Sequence, residues 1–325
     1  MVRQQTMEGK DHMLLLFESP TLEPRTGVPS VSQERFVIRK IDRPKEYHEC
    51  EEVQRRAWGM PDIHIVPSHL LITAQKNGGL VLGAFDPEGK MVGYLFGFLG
   101  TTQPDSKDKR AAGRLKHCSH MVGILPGYQS QGLAYLLKLR QRDHSLSQGL
   151  DLVTWTFDPL ESANANLNLS KLGVVFNTYL RDVYGRMTDA LNVGLPTDRV
   201  QVDWWIRSRR VEERLEKSGK KSSLDETLQG GASRVNEPTI RPDGILKPSG
   251  ADLTTTAEAI VVEVPADFQS IKAVDLSSAI DWRMHTRDLF CHYLEAGYTA
   301  VEFISEIVHG RRHSYYVLRR NFVIS

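Results

Sequence analysis

The stretch GILPGYQSQGLA, residues 123–134, decides how this 325-residue chain is read. An apolar run, HMVGIL at 120–125, breaks at Pro126-Gly127 into glutamines around Gly132, and the patterned segment LAYLLKLRQR follows directly. A strand that hands over to a helix in this way gathers unpaired backbone N–H groups at one spot, and the helix dipole adds partial positive charge there. Such a corner attracts anions. Gly132 has no Cβ, so a phosphate can approach the main chain closely; Ala134 is small for a related reason, and the amides of Gln129 and Gln131 are further donors. The dipole alone contributes only about 0.3–1 kcal/mol, so several N–H bonds must act together on a large ligand.

Outward from this corner the periodicity predicts a helix over 129–147, with Leu133, Leu136 and Leu137 inward and Lys138 and Arg142 on the wet side. Upstream, RFVIRKI from Arg35 reads as a strand and 44–58 as a helix with proline in its first turn. A second helix falls near 68–75. GLVLGAF and MVGYLFGFLG form a hairpin around Asp86-Pro-Glu-Gly89, and LKHCSHMVGIL is the strand before the corner. Downstream come the strand 150–157, a helix over 161–171, a strand after Gly173 and, past a Gly-Leu-Pro turn, a last strand ending at Trp205-Ile206.

Residues 1–33 read as a loosely ordered arm, 34–215 as one α/β unit, 216–256 as a linker rich in Ser, Gly, Lys and Pro, and 257–325 as a smaller α+β unit. The strand, helix, Gly-aromatic, strand order of the second unit loosely echoes 152–180, as a degenerate internal repeat would.

Composition narrows the function. Hydrophobic content of 40%, charged content of 25% and five Trp describe a chain with a real core. Lys plus Arg (41) nearly cancels Asp plus Glu (40), which argues against nucleic acid or an anionic membrane as partner. Three cysteines favour a reducing compartment, and with no signal-peptide core or long apolar span the expectation is cytoplasmic. His117-Cys118-x-His120 lacks a fourth ligand, so no metal is expected.

Pro126-x-Tyr128-Gln129-x-Gln131-Gly132-x-Ala134, after Val122-x-Ile124 and before LLKLRQR, resembles the Arg/Gln-x-x-Gly-x-Gly/Ala segment of the GNAT superfamily of N-acetyltransferases. Lys171-Leu172-Gly173 stands where that family ends its second motif, and the resemblance spans about 35–206. LNVGLPTDR and the C-terminal VPADFQSIK, TRDLF and GY segments resemble a subgroup of predicted acetyltransferases with a C-terminal extension. The resemblance implies a mixed, mostly antiparallel splayed sheet flanked by helices and a CoA-dependent N-acyltransferase, acetyl-CoA being the expected acyl donor. It places the acyl-CoA on Val122, Gly123, Ile124 and Leu125 of the strand, on Gln129, Ser130, Gln131, Gly132, Leu133 and Ala134 of the corner, and on Asn164 or Asn166 of the following helix. The two asparagines read equally well as surface or capping residues. The expected acceptor is a small-molecule amine, and a homodimer is a further expected partner arrangement.

Two departures stand out. Gln129 occupies a position where the family often has Arg, and Leu169 occupies that of the frequent catalytic tyrosine, four residues before Gly173. Candidates for the chemistry are His120 as base, Asp158 as an acceptor through water, and Tyr293, which stands at the same spacing before Gly297. Each also has a plain structural reading: a half-buried strand histidine, an N-cap and a core tyrosine. The main-chain donors for the acyl carbonyl are expected around Gly123 and Ile124, where a glycine would ease a bulge. Trp155, Trp204 and Trp205 could wall a pocket or simply pack, and Arg181, Arg186 and Arg199 could pair with a substrate carboxylate or sit in solvent. The loss of the tyrosine leaves a second class open, an acyl-CoA-binding module without turnover.

Overall fold

The structure, a computed structural model, describes residues 35–102, 113–216 and 222–324. The arm expected at 1–33 lies outside them. In chain order, β1 (Val37–Lys40) leads to α1 (Pro44–Trp58), which starts on proline and turns Tyr47, Cys50 and Val53 inward. A short turn and α2 (Ser68–Lys76) precede the hairpin of β2 (Leu80–Phe85) and β3 (Met91–Thr101). Next come β4 (Leu115–Ile124), α3 (Leu133–Ser147) and β5 (Leu152–Phe157). α4 (Ser162–Ala165) runs straight into a π-helical turn, Asn166–Lys171, before β6 (Val175–Leu180) and β7 (Arg199–Trp205).

The chain continues through α5 (Arg209–Glu216), α6 (Leu224–Gln229) and three short strands, β8 (Ser233–Arg234), β9 (Thr239–Ile240) and β10 (Leu246–Lys247). It ends with β11 (Ala259–Val264), α7 (Phe268–Val274), α8 (Leu276–Glu295), β12 (Tyr298–Val308) and β13 (Arg311–Arg320).

Eleven strands make one sheet in the order β1-β2-β3-β4-β5-β7-β6-β12-β13-β11-β8. Only the β4·β5 and β11·β8 pairs are parallel, so the sheet is mixed and mostly antiparallel, flanked by helices, as the family resemblance implies. On one face α1 and α2 pack Tyr47, Cys50, Val53 and Leu71 against Phe85, Met91, Tyr94 and Phe96. On the other, Leu133 and Leu137 of α3 pack on Leu80, Leu82 and Leu95. Each such leucine, fully removed from water, stabilises by roughly 1.5–3 kcal/mol.

The segment read as a linker is packed where it is described: Leu224, Val235 and Asn236 are buried, and β8 adds to the edge of β11. Composition alone could not reveal that Leu224 and Val235 point inward, while Ile240 and Leu253 stay exposed. The echo between the two halves has a topological counterpart. In β5-β7-β6 the last strand of the three inserts antiparallel between the first two, and β11-β13-β12 repeats this order, the two groups meeting where Ala300 of β12 pairs with Phe176 of β6. Among the described residues no helix is long and apolar enough to cross a membrane.

Candidate functional site

β4 and β5 pair only at His117 with Val153 and Cys118 with Thr154. Beyond those two rungs β4 stays on β3 as far as Ile124 and β5 stays on β7 as far as Phe157, so a wedge opens between them. A bulge starts the divergence: Phe96 faces Met121 and Gly97 faces Ser119, leaving His120 as the extra residue that bends the strand. The bulge therefore sits at His120 and not at Gly123. Gly123 is required for another reason, because a Cβ there would lie 2.8 Å from Trp58 and 3.2 Å from Tyr94.

The wedge is lined by main-chain donors. Leu125 N–H donates to the Val92 carbonyl at 2.9 Å, so Leu125, Gly123 and Met121 turn their backbone groups to β3, and by alternation Val122 and Ile124 turn theirs toward the wedge. At its open end the chain turns through a Tyr128 N–H bond to the Leu125 carbonyl (2.9 Å), with Ser130 (φ 61°) and Gly132 (φ 82°) left-handed. Left-handed residues inside a turn aim successive N–H groups at one point. Gly132 caps α3 and supplies no capping side chain, so the first-turn N–H groups of Leu133 and Ala134 remain available to a ligand. The glutamines do something else than expected. The Gln129 amide donates to the Ile124 carbonyl (3.2 Å) and the Gln131 amide to the Gly127 carbonyl (3.1 Å), so both brace the loop, and Tyr128 Oη ties it to Asp86 at 3.0 Å.

His120 lies on the α1–α2 side, exposed along one edge but packed against the rings of Phe96 (5.8 Å) and Phe98 (5.9 Å). Desolvation by these neighbours lowers its pKa from the ordinary 6.5, so the imidazole is neutral at pH 7 and able to accept a proton. Asp158 and Tyr293, proposed from sequence for chemistry, have structural partners instead. Asp158 accepts both guanidinium N–H groups of the fully buried Arg283, at 2.8 Å through Oδ1 and closer still through Oδ2, lies 3.8 Å from Arg199, and accepts from Leu160 N–H (2.9 Å). Tyr293 is buried against Tyr298 and donates to the Asp252 carbonyl at 2.5 Å. Asn164 is exposed and Asn166 half-buried where α4 meets the π-helical turn, while Leu169 is wholly buried, so its position offers a ligand nothing.

Lys138 and Arg142 correct the helix reading as well. Neither is on a wet face: Arg142 donates to the Ile206 carbonyl (2.9 Å), and Lys138 lies beneath α3 with its Nζ 2.7 Å from Ser119 Oγ, 3.2 Å from Gln141 Oε1 and 3.5 Å above the Trp155 ring. Trp155 itself packs edge-on against Trp204. Arg181 lies near the Cys291 thiol and Arg199 over Tyr184. Sequence reading also missed Tyr184, whose hydroxyl is 3.0 Å from Thr156 Oγ1 on the β5 wall of the wedge; nothing in its local pattern marks it. An open groove of about 370 Å³ lies away from the wedge between β1, β2 and the end of α3, lined by Arg39, Arg140 and His144 among others. Among the described residues no cluster of three or more His, Cys, Asp or Glu is arranged to hold a metal ion.

No protein-family pattern and no curated protein matches this chain. Solved structures do. The chain is similar to an acetyltransferase of the GNAT family from Streptococcus pneumoniae, at 18% identity over 52% of this chain and 98% of that one, with a TM-score of 0.40. It is similar to a ribosomal-protein-alanine N-acetyltransferase from Escherichia coli (16% identity, 53% and 94%, TM-score 0.40). A GNAT-family acetyltransferase from Brucella melitensis in complex with acetyl-CoA is a further likeness, at 17% identity over 38% of this chain and 76% of that one, with a TM-score of 0.30.

Proposed function

We propose that this protein is an acyl-CoA-dependent N-acyltransferase, acetyl-CoA being the donor and a small-molecule amine the acceptor. The observation that carries the reading is the coincidence of two independent features. The wedge lined by Val122 and Ile124 opens onto the uncapped start of α3 at Gly132, where the quoted motif stands. The donors fit the ligand's two ends: the N–H groups of residues 130–134 suit a pyrophosphate, and the wedge from Ile124 to Ser119 runs about 17 Å, comparable with an extended pantetheine arm.

Within that frame the chain's own groups divide the work. Val122 N–H, the wedge donor nearer the apex, donates to an acyl oxygen as charge grows on it, while Ile124 N–H, nearer the open end, holds the arm of the donor; a pre-aimed donor of this kind acts without reorganisation. Neutral His120 accepts the proton of the attacking amine. The packing of the C-terminal half beside β6 favours a compact acceptor over a long peptide.

Purified protein should melt at a higher temperature with CoA, and thiol release with acetyl-CoA over a panel of amines should identify the acceptor class. His120→Gln is expected to lower kcat on the order of 10²-fold and flatten the acid limb of the pH profile. An unchanged profile would remove the base assignment. Gly132→Val should weaken CoA binding at least about tenfold, since a β-branched residue at φ 82° costs roughly 1–2 kcal/mol and its side chain projects among the donors. Equal affinity in a calorimetric titration would show that this corner is not where the phosphates bind. The buried Leu169 favours one alternative, a binding module that melts higher with CoA yet frees no thiol.

A further inference from the structure

The apex of the wedge holds a group that the pattern of the helix assigns to solvent. Ser119 is the first residue of β4 past its last rung with β5, and Trp155 is the first residue of β5 past the same rung. Lys138 Nζ bridges the two walls at this point, against Ser119 Oγ at 2.7 Å and over Trp155 at 3.5 Å. Its other hydrogen-bond partner is Gln141 Oε1, with the Cys118 thiol and the His117 ring close by, so a side chain 3% exposed carries its amine into the interior with no carboxylate among the described residues to pair it. Burying a lysine this way is costly, and such groups concentrate where chemistry needs them.

We propose that Ser119 and Lys138 form the acid pair that protonates the departing thiol of the acyl donor, Ser119 as the catalytic residue and Lys138 as the positioning residue that resupplies its proton. The proposal rests on the acyltransfer reading and fills the role left by Leu169. As the amine nitrogen bonds to the acyl carbon, the C–S bond breaks and sulfur leaves with the electron pair. Sulfur takes the proton of Ser119 Oγ, Ser119 takes one from the Lys138 ammonium, and the nitrogen's own proton goes to His120. Solvent then reprotonates Lys138 and deprotonates His120, so the net products are one amide and one thiol.

The surroundings suit this traffic. Desolvation lowers the Lys138 pKa well below its ordinary 10.5, which makes its ammonium a readier proton donor than an exposed lysine. On the same face of α3 the buried Gln141 and Ser145 carry polar atoms with no partner among the described residues, and they lead to His144, which lines the open groove beyond.

The test compares wild type with Ser119→Ala and Lys138→Met by three readouts: the melting shift with CoA, kcat and KM in thiol release, and the pKa of the bound CoA thiol followed by thiolate ultraviolet absorbance. Expected are an unaltered melting shift and KM, kcat lower on the order of 10²-fold, and a bound thiol pKa raised by about 1 unit. A variant that binds CoA with wild-type kcat and thiol pKa overturns the pair. Wild type that binds CoA and frees no thiol, or binds none, overturns the acyltransfer reading and the pair with it. Should Lys138→Met fail to fold, Ser119→Ala, which removes one buried hydroxyl, decides alone.

Discussion

Arg283→Met should destabilise the fold by about 3–5 kcal/mol, because it strands the Asp158 carboxylate with a buried charge and Arg199, at 3.8 Å, as the nearest remaining cation among the described residues. Arg283 is 1% exposed and meets Asp158 two-on-two, while one helical turn later Arg287 meets the fully buried Asp198 in the same way at 2.7 Å twice. These two pairs, four residues apart on α8, tie that helix to the end of β5 and the start of β7. Bidentate arginine–carboxylate pairs fix orientation as well as distance. Chemical denaturation monitored by tryptophan fluorescence measures the loss. A change under about 1 kcal/mol would mean that the pair is as weak as an exposed one. The double variant Arg283→Met with Asp158→Leu should recover part of the loss, since replacing both charges leaves none unpaired. Burial opposes ionisation of Asp198, but Arg287, the Asp182 N–H and Tyr179 outweigh it and lower its pKa. Its contribution is therefore intact above pH ~4 and lost as pH falls through the folded value.

The parts of the fold legible in sequence were those in which local pattern and tertiary role agree. Pro44 at a first helical position, the apolar runs of β2 and β3 on either side of the turn at 86–89, and the leucines at 133 and 137 each predict their element because the same residues that favour it also pack it. The corner at Gly132 was legible because its glycine is needed locally. What pattern could not show was burial imposed by distant chain. Lys138 and Arg142 occupy helix positions that an isolated amphipathic helix would leave wet, and they are covered by β4, Trp155 and the Ile206 carbonyl. The bulge escaped for a similar reason. His120 is a residue type that any strand tolerates, and only its register against Phe96 and Gly97 reveals the extra residue. Asp158 read as a helix cap, but the N-cap of α4 is Glu161; Asp158 instead closes a local turn through Leu160 N–H, and its main partner lies 125 residues further along the chain.

Lowering the pH from 7 to 4 should remove about 3 kcal/mol of stability through His117 alone. The ring is wholly buried between β3 and α3, both its nitrogens lack partners among the described residues, and a Cβ on Gly97 would lie only 2.3 Å from Nε2, so the glycine is what admits it. Burial first, and then the nearby His144 and Lys138 charges, push its pKa down to about 3. The unfolded chain takes up a proton near pH 6.5 while the folded chain refuses one until about pH 3, so between these values protons favour unfolding and stability falls steadily as the solution is acidified. His144 and His285 are shifted in the same direction by burial and steepen the same limb. His117→Leu isolates the residue: its curve of unfolding free energy against pH should run flatter than wild type by about 3 kcal/mol over that interval. Two parallel curves would mean that the imidazole is already protonated or solvated in the native state. The buried amine of Lys138 would then sit beside a cation, and its place as the proton source for Ser119 would have to be abandoned.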